Sequence, residues 1–321
     1  MPLNFVREVL GYDAWWDEAS RTVYILKEVE EKPVILPDER TIDPVVSTEW
    51  LENNLEMEDL IVLDIRSEED YEKGHIPGAV NVLAEEFWVD DELAMMMPQT
   101  AELFDTIGNA GITADSKVVV VGTLPEPGAP PYALAQATRV ASTLIYAGLT
   151  DVAVLEGGHP QWVDEDRPVS TDVPEVEAVT FEGEVIPEMV VDREYVENAV
   201  IRDDSVIIDN RDADVYFGIT IEPFAEKPGH IPTARSLPTP WMWDGDWHYV
   251  DTELLEGMAS GVIEGTKASP GEVVIYCGVG GYASSWWYVL TQMLGYENVK
   301  IYDGSAQDWV MENDMVKFKW E

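Results

Sequence analysis

The stretch IVLDIRSEEDYEKGHIPGAVNV, residues 61–82, decides the fold because the chain contains it twice. It returns as VIIDNRDADVYFG at 206–218 and, further on, as PGHIPTARSLP at 228–238. Between these two parts the second copy carries an insertion, ITIEPFAEK at 219–227, that the first copy lacks. An internal repeat that keeps this much of its sequence indicates a duplicated domain.

Two further blocks extend the repeat. KVVVVG at 117–122 corresponds to EVVIYC at 272–277, and LEGGHPQW at 155–162 corresponds to YDGSAQDW at 302–309. All matching blocks occur in the same order along the chain. The two halves are therefore expected to share one architecture.

Short apolar runs alternate with helical patterns in both halves. The expected buried strands are Ile61–Asp64, Val118–Val121, Val152–Leu155, Val206–Asp209, Val273–Tyr276 and Val299–Tyr302, with helices near Ala133–Ala147 and Ala283–Leu294. Near-continuous Val and Ile runs separated by helices favour an α/β fold, in which each domain has a parallel sheet flanked by helices on both faces. In such sheets, sites lie beyond the carboxyl ends of the strands.

The matching blocks divide the chain into parts. We expect a first domain at 43–162, a linker at 163–187 and a second domain at 188–321. The linker is polar and contains three prolines. Residues 1–42 have no counterpart in the second copy, and the alternation at 21–27 favours a short hairpin on the first domain. The sequence assigns this N-terminal extension no role.

The acidity of the chain is far outside ordinary composition. Its 321 residues include 63 Asp and Glu against 19 Lys and Arg, a formal net charge of −44. Hydrophobic residues make up 46%, which argues against disorder. A field of this sign repels phosphate groups, so neither nucleic acid nor an anionic membrane is an expected partner.

The acidic residues are spread along the whole chain rather than gathered in a tail. This favours a surface adapted to concentrated salt, as in an extreme halophile, over an acidic docking face for a basic partner. No apolar run is long enough to span a membrane, and the first residues lack the pattern of a secretory signal. We therefore expect a cytoplasmic protein.

Cys277 is the only cysteine of the chain. It ends an expected strand and is followed by GVGGYASS at 278–285 and then by an apolar helical run. A strand, loop and helix in this order aim backbone N–H groups and a helix N-terminus at the sulfur, which predicts a reactive thiolate of depressed pKa. The competing interpretation is a buried, inert core cysteine.

Together these features resemble the two-domain rhodaneses, the thiosulfate and mercaptopyruvate sulfurtransferases. The resemblance covers about 43–321 and is carried by the two GHIP blocks, the Cys277 loop, YDGSAQDW and the duplication. It implies two tandem rhodanese-like domains, of which the second forms a persulfide on its cysteine. Gly122 stands at the matching position of the first domain, so that domain is expected to be non-catalytic.

The resemblance also implies a reaction. The Cys277 thiolate takes the outer sulfur of thiosulfate, releases sulfite, and passes the sulfur to a thiophilic acceptor, which is cyanide in vitro. No cofactor and no resolving cysteine are needed. The residues expected to hold the transferred sulfur or the substrate around Cys277 are Gly278, Val279, Gly280, Gly281 and Tyr282.

The loop departs from the family where the donor is selected. Gly278 and Val279 are neither the basic pair usual for thiosulfate nor the small polar pair usual for mercaptopyruvate. The sulfonate would therefore need another cation, and Arg211 and Arg235 are the candidates. For Arg211 the alternative is an ion pair with a neighbouring carboxylate such as Asp209, and for Arg235 a weak surface salt bridge.

Other functions stay open beside thiosulfate transfer. Mercaptopyruvate is the alternative donor, and a persulfide carrier served by a sulfur-relay protein is the non-enzymatic alternative. A phosphatase of similar fold is disfavoured because no arginine occurs between 278 and 321 to bind a phosphate.

The four histidines lack ligand spacing, so no metal site is expected. His75 and His230 occupy the same place in the GHIP motif of the two copies. Because the copy without a cysteine also has this motif, a structural role is favoured for both histidines.

Overall fold

The architecture was taken from a computed structural model. It describes residues 14–17, 21–25, 32–34, 36, 40–263 and 271–321.

The first domain contains a five-stranded parallel sheet. Its strands are β3 (Val45–Val46), β4 (Leu60–Asp64), β5 (Val80–Asn81), β6 (Lys117–Val121) and β7 (Val152–Leu155). They lie in the order β3-β7-β6-β4-β5, with β4 and β6 paired from Leu60↔Lys117 to Asp64↔Val121.

The second domain repeats this sheet. Its strands are β8 (Val190–Val191), β9 (Ser205–Asp209), β10 (Arg235–Ser236), β11 (Glu272–Tyr276) and β12 (Val299–Tyr302). Their order is β8-β12-β11-β9-β10, and every pair is parallel. Each strand occupies the place of its counterpart in the first sheet, so the duplication seen in the sequence is confirmed in the topology.

Five helices accompany each sheet in the described part of the chain. They are α1 (Thr48–Asn54), α2 (Glu68–Lys73), α3 (Thr100–Asn109), α4 (Tyr132–Tyr146), α5 (Gly158–Asp164), α6 (Arg193–Ala199), α7 (Ala213–Phe217), α8 (Thr252–Val262), α9 (Gly281–Tyr288) and α10 (Ser305–Glu312). The α9 helix continues into a π-helical turn, Val289–Met293. Ser47 caps α1 by accepting the N–H of Trp50 at 3.1 Å.

Alternate residues of the central strands enter different cores. In β6, Val118 and Val120 join the cluster that contains residues of α3 and α4. Val119 and Val121 join the cluster that contains residues of α1, α2 and α5. Because successive strand side chains point to opposite faces, this division shows helices on both faces of the sheet, as the apolar runs predicted.

The two GHIP turns are held in the same way. His75 stacks on Tyr71 with ring centroids 3.8 Å apart, and its Nδ1 lies 2.9 Å from the Tyr71 carbonyl oxygen. His230 stacks on Tyr216 at 3.8 Å with the same 2.9 Å contact to the Tyr216 carbonyl. Both imidazoles are fully buried. The histidines therefore fix turns in both copies, which is the structural role expected of them.

The domains meet where α4 packs against α9. Small side chains line this contact, and Thr138 Oγ1 lies 2.7 Å from Ser285 Oγ across it. Leu144 of the first domain and Trp286 of the second belong to one continuous apolar cluster. The domains therefore share a core.

A buried ion pair also crosses this contact. Arg139 of α4 donates to the carboxylate of Asp303 at 2.9 Å, and both side chains are almost completely buried. Asp303 also accepts the N–H of Met97 at 2.6 Å, while Arg139 donates to the carbonyl of Met95. Asp303 directly follows β12, so this pair ties the first domain to the carboxyl edge of the second sheet.

The described part of the N-terminal extension forms a hairpin of β1 (Ala14–Asp17) and β2 (Thr22–Ile25). The hairpin lies on the second domain, where Tyr24 stacks on Trp309 with centroids 6.1 Å apart. The expectation that it lies on the first domain is wrong because its apolar side chains complete the core between α6 and α10. Residues 1–13, 18–20, 26–31, 35 and 37–39 of this extension lie outside the described residues.

The segment after α5 runs in an extended path along the first domain. Phe181 is buried in the shared core and packs edge-on against Phe104, with ring centroids 5.0 Å apart. Ile186 donates its N–H to the carbonyl of Tyr146 at 2.9 Å. The connection between the domains is therefore packed rather than a free tether.

Replacing Arg139 by Met should destabilise the protein strongly. The change leaves the Asp303 carboxylate buried without its cation, and removing one partner of a buried pair costs about 3–5 kcal/mol. Urea unfolding measures the loss. Lys73→Met is the control, since Lys73 pairs with Glu69 and Asp70 on an exposed helix face and its loss should cost much less. Equal losses in the two variants would contradict this assignment.

Candidate active site

Cys277 lies at the carboxyl edge of the second sheet, directly after β11. Its side chain is 3% exposed. The Gly280 N–H donates to Sγ at 3.1 Å, and the Cys277 N–H donates to Ser305 Oγ at 3.3 Å. Gly280 has φ +102°, a left-handed conformation that glycine adopts without strain. The loop thus turns back over the sulfur immediately before α9 begins.

Burial nevertheless raises the pKa of the Cys277 thiol. The N–H groups of Ala283, Val279 and Gly280 lower this pKa, while the carboxylate of Glu222 raises it. The predicted depression of the pKa is therefore wrong, because desolvation in an apolar cavity outweighs the backbone dipoles. At neutral pH the resting group is the thiol.

The cavity in front of Cys277 has a volume of about 190 Å³ and is built from both domains. The first domain contributes Met95, Tyr132 and Gln136. The insertion at 219–227 contributes Glu222 and Phe224. The first domain therefore forms one wall of the cavity although it carries no nucleophile.

The structure brings the predicted loop residues together. Gly278, Val279, Gly281 and Tyr282 line the cavity, and Gly280 contacts the sulfur through its N–H. The ring of Tyr282 lies 5.4 Å from that of Tyr132, across the domain boundary.

Arg211 does not reach this cavity. Its guanidinium is 1% exposed and binds the Asp209 carboxylate through Nε at 2.9 Å and Nη2 at 2.6 Å. Arg66 binds Asp64 in the first domain in the same way, at 3.0 Å and 2.7 Å. Since both copies contain this pair, the structure places Arg211 in the ion pair with Asp209 that the sequence left open.

The side chain of Arg235 extends away from Cys277, toward the beginning of β9. Its Nη1 donates to the carbonyl of Val262 at 2.6 Å, and its side chain lines a separate cavity beside Ser205, where β9 begins. The Arg235 backbone pairs with Ile208 near the carboxyl end of β9, so it is the direction of the side chain that keeps its guanidinium away from the Cys277 cavity. Among the described residues, no lysine or arginine lines the Cys277 cavity.

Sequence reasoning missed Glu222. Its side chain is 13% exposed, and its Oε2 has no hydrogen-bond partner among the described residues. Burial raises its pKa to about 7. The signal was available, since Glu222 lies in the insertion that only the copy with the cysteine carries.

Two features are absent from the described part of the chain. It contains no group of histidine, cysteine and carboxylate side chains that could hold a metal ion. It also contains no helix long and apolar enough to cross a bilayer.

Both repeated halves of the chain match the sequence pattern of one known domain family. The sequence pattern of the rhodanese-like domain matches residues 47–165 and again 192–312. The chain belongs to the rhodanese family. Both of its repeated halves are rhodanese-like domains, as the resemblance implied.

Relatives in this family have names connected with sulfur transfer. The chain is 30% identical over 283 residues to "Sulfur carrier protein TtuD" of Thermus thermophilus, covering 83% of this chain and 93% of that protein. It is 29% identical over 286 residues to a Haloferax volcanii protein named "Putative thiosulfate sulfurtransferase", with coverage of 83% and 93%.

A solved structure supports the same fold. The anaerobic ergothioneine biosynthesis enzyme from Chlorobium limicola superposes with a TM-score of 0.75 at 23% identity. The match covers 85% of this chain and 70% of that one. At this identity the likeness concerns the fold alone.

Alkylation of Cys277 should be slow at neutral pH. Because burial raises its pKa, the thiolate fraction and the rate with iodoacetamide should increase through a pKa above the value of about 8.5 for a free cysteine. The measurement has no background, since the chain has no other cysteine. A rate already at its plateau at neutral pH would show a depressed pKa instead.

Proposed function

We propose that the protein is a sulfurtransferase that carries sulfur as a persulfide on Cys277, with thiosulfate as donor and a thiophilic acceptor. The observation that supports this most directly is the position of Cys277. The only cysteine of the chain lies in the loop after β11, with a backbone N–H on its sulfur and a small cavity in front of it.

The charging step follows from this geometry. After the thiol loses its proton to solvent, Sγ attacks the outer sulfur of thiosulfate. The S–S bond of the donor breaks, and its electron pair leaves with sulfite, so that the persulfide keeps one negative charge. The Gly280 N–H and the N-terminus of α9 stabilise that charge.

A persulfide carrier is the second candidate. It is supported by the 30% identity to the Thermus thermophilus sulfur carrier. It is also supported by the cavity lining, which holds a carboxylate and, among the described residues, no cation for a dianionic donor. In this alternative a sulfur-relay protein, rather than free thiosulfate, delivers the sulfur.

Cys277→Ser should abolish sulfur uptake. The wild-type protein treated with thiosulfate should gain the mass of one sulfur atom and release sulfite, because only the thiolate can form the persulfide. Intact-protein mass spectrometry and a sulfite assay measure both products. Parallel reactions with mercaptopyruvate and with a persulfide-bearing protein separate the donors. Uptake by the serine variant, or none by the wild type from any donor, would contradict the proposal.

We also infer that the charge of −44 is an adaptation to the concentrated salt of a halophile's cytoplasm. At low salt the many carboxylates repel one another over a Debye length of about 30 Å at 0.01 M, whereas at 1 M this length falls to about 3 Å. Salt therefore removes a repulsion that favours the unfolded chain.

The midpoint of thermal unfolding should accordingly rise from dilute buffer to molar KCl. Circular dichroism measures this midpoint. Glycerol at matched osmolality is the control, because it leaves the charges unscreened. A midpoint independent of KCl would contradict the inference.

A further inference from the structure

The insertion at 219–227 brings Glu222 to the cavity of Cys277. Phe224 lines the cavity as well. A methyl group placed on Gly278 would lie 2.9 Å from Glu222 Oε2, so this oxygen lies directly against the residue that follows the cysteine. Glu222 and Cys277 both line this cavity of about 190 Å³, so a molecule bound in it can contact the two side chains together.

The carboxylate of Glu222 has one ion-pair partner, which it shares with Asp209. The nearest cation, Arg211 Nη1, lies 3.7 Å from Oε2 and belongs to a guanidinium that already holds Asp209. A buried polar atom without a hydrogen-bond partner costs about 1–3 kcal/mol, so Oε2 of Glu222 calls for an explanation, and a catalytic role is one.

Several charged and titratable groups face Glu222. Arg211 favours the ionised carboxylate, while Asp209 and Asp212 oppose it. Tyr132, Tyr282 and Cys277 are coupled to it electrostatically from α4, α9 and the reactive loop. Burial is the largest influence, and the resulting pKa of about 7 lets the group exchange a proton near neutrality.

We propose that Glu222 is a catalytic residue of the discharge step, where it takes the proton of a small thiol acceptor as that thiol attacks the persulfide on Cys277. This inference rests on the proposed function. It concerns the acceptor, because thiosulfate has no proton to give up.

The step balances. The acceptor sulfur forms a bond to the outer persulfide sulfur, and the bond from that sulfur to Sγ of Cys277 breaks with its electron pair on Sγ. The acceptor proton passes to Glu222. The products are an acceptor persulfide anion, the Cys277 thiolate and a neutral carboxylic acid, and no external oxidant or reductant takes part.

The test compares Glu222→Gln with the wild type in single turnovers. Protein loaded with thiosulfate is mixed with 2-mercaptoethanol, and loss of the extra sulfur is followed by intact mass. We expect thiol discharge to slow by about 100-fold near neutral pH, as for loss of a general base. Loading with thiosulfate should instead become faster, because the variant lacks the carboxylate that repels the dianion and raises the Cys277 pKa.

The pH profile provides a second readout. Wild-type discharge to the thiol should level off above pH about 7, where Glu222 is ionised. The rate of Glu222→Gln should keep rising with pH, because only the ionised acceptor then reacts. Discharge to sulfite at mildly alkaline pH, where no proton needs removal, should not slow in the variant.

Glu226→Gln is the matched control. Glu226 lies in the same insertion and is exposed, so its loss removes one charge without altering the cavity. Glu222→Asp serves if the glutamine variant does not fold, and its shortened carboxylate should discharge at an intermediate rate.

The outcomes separate the two proposals. If Glu222→Gln discharges to the thiol as fast as the wild type, or if loading and discharge slow together, the role of Glu222 as a base is overturned. A structural role would give the second result. Failure of the wild type to load from any donor overturns the proposed function itself, and this inference falls with it.

Discussion

The packing of α4 against α9 is the contact on which the site depends. Cys277 and its loop belong to the second domain, but a wall of their cavity belongs to the first. The Arg139–Asp303 pair holds that wall at the carboxyl edge of the second sheet. A buried ion pair tolerates little displacement, because each charge left unpaired is costly in the interior. The first domain, which has no cysteine, thus contributes a fixed surface to the cavity.

The two copies within this chain can be compared residue by residue, and the residues common to both are the ones that maintain the fold. The Asp–Arg pair and the stacked His–Tyr pair occur in both copies with nearly the same distances. Both sets therefore belong to the scaffold. The second copy differs from the first in the Cys277 loop and in the insertion at 219–227, among other places. Cys277 and Glu222 both lie in these parts.

The sequence predicted the strands, the shared topology and the position of Cys277 directly after a strand, because Val and Ile runs and an ordered repeat report directly on local structure. It could not predict the surroundings of the Arg211 and Arg235 side chains. Motif position alone does not tell which end of a sheet a side chain such as Arg235 occupies, nor whether Arg211 is already bound by Asp209. The positions of Glu222 and Tyr132 in the cavity were not predicted either, because both lie near Cys277 only through contacts between distant parts of the chain. The insertion at 219–227 was the one sequence feature that pointed to Glu222.

The N-terminal hairpin has a consequence for the order of assembly. Tyr24 stacks on Trp309, and Lys300 donates to the carbonyl of Lys32, so the beginning of the chain binds to its end. During synthesis on the ribosome, the hairpin can form these contacts only after the chain up to Trp309 has been made. The outer core of the second domain therefore closes last, and a nascent chain stalled before α10 would leave the aromatic face of the hairpin open to other proteins.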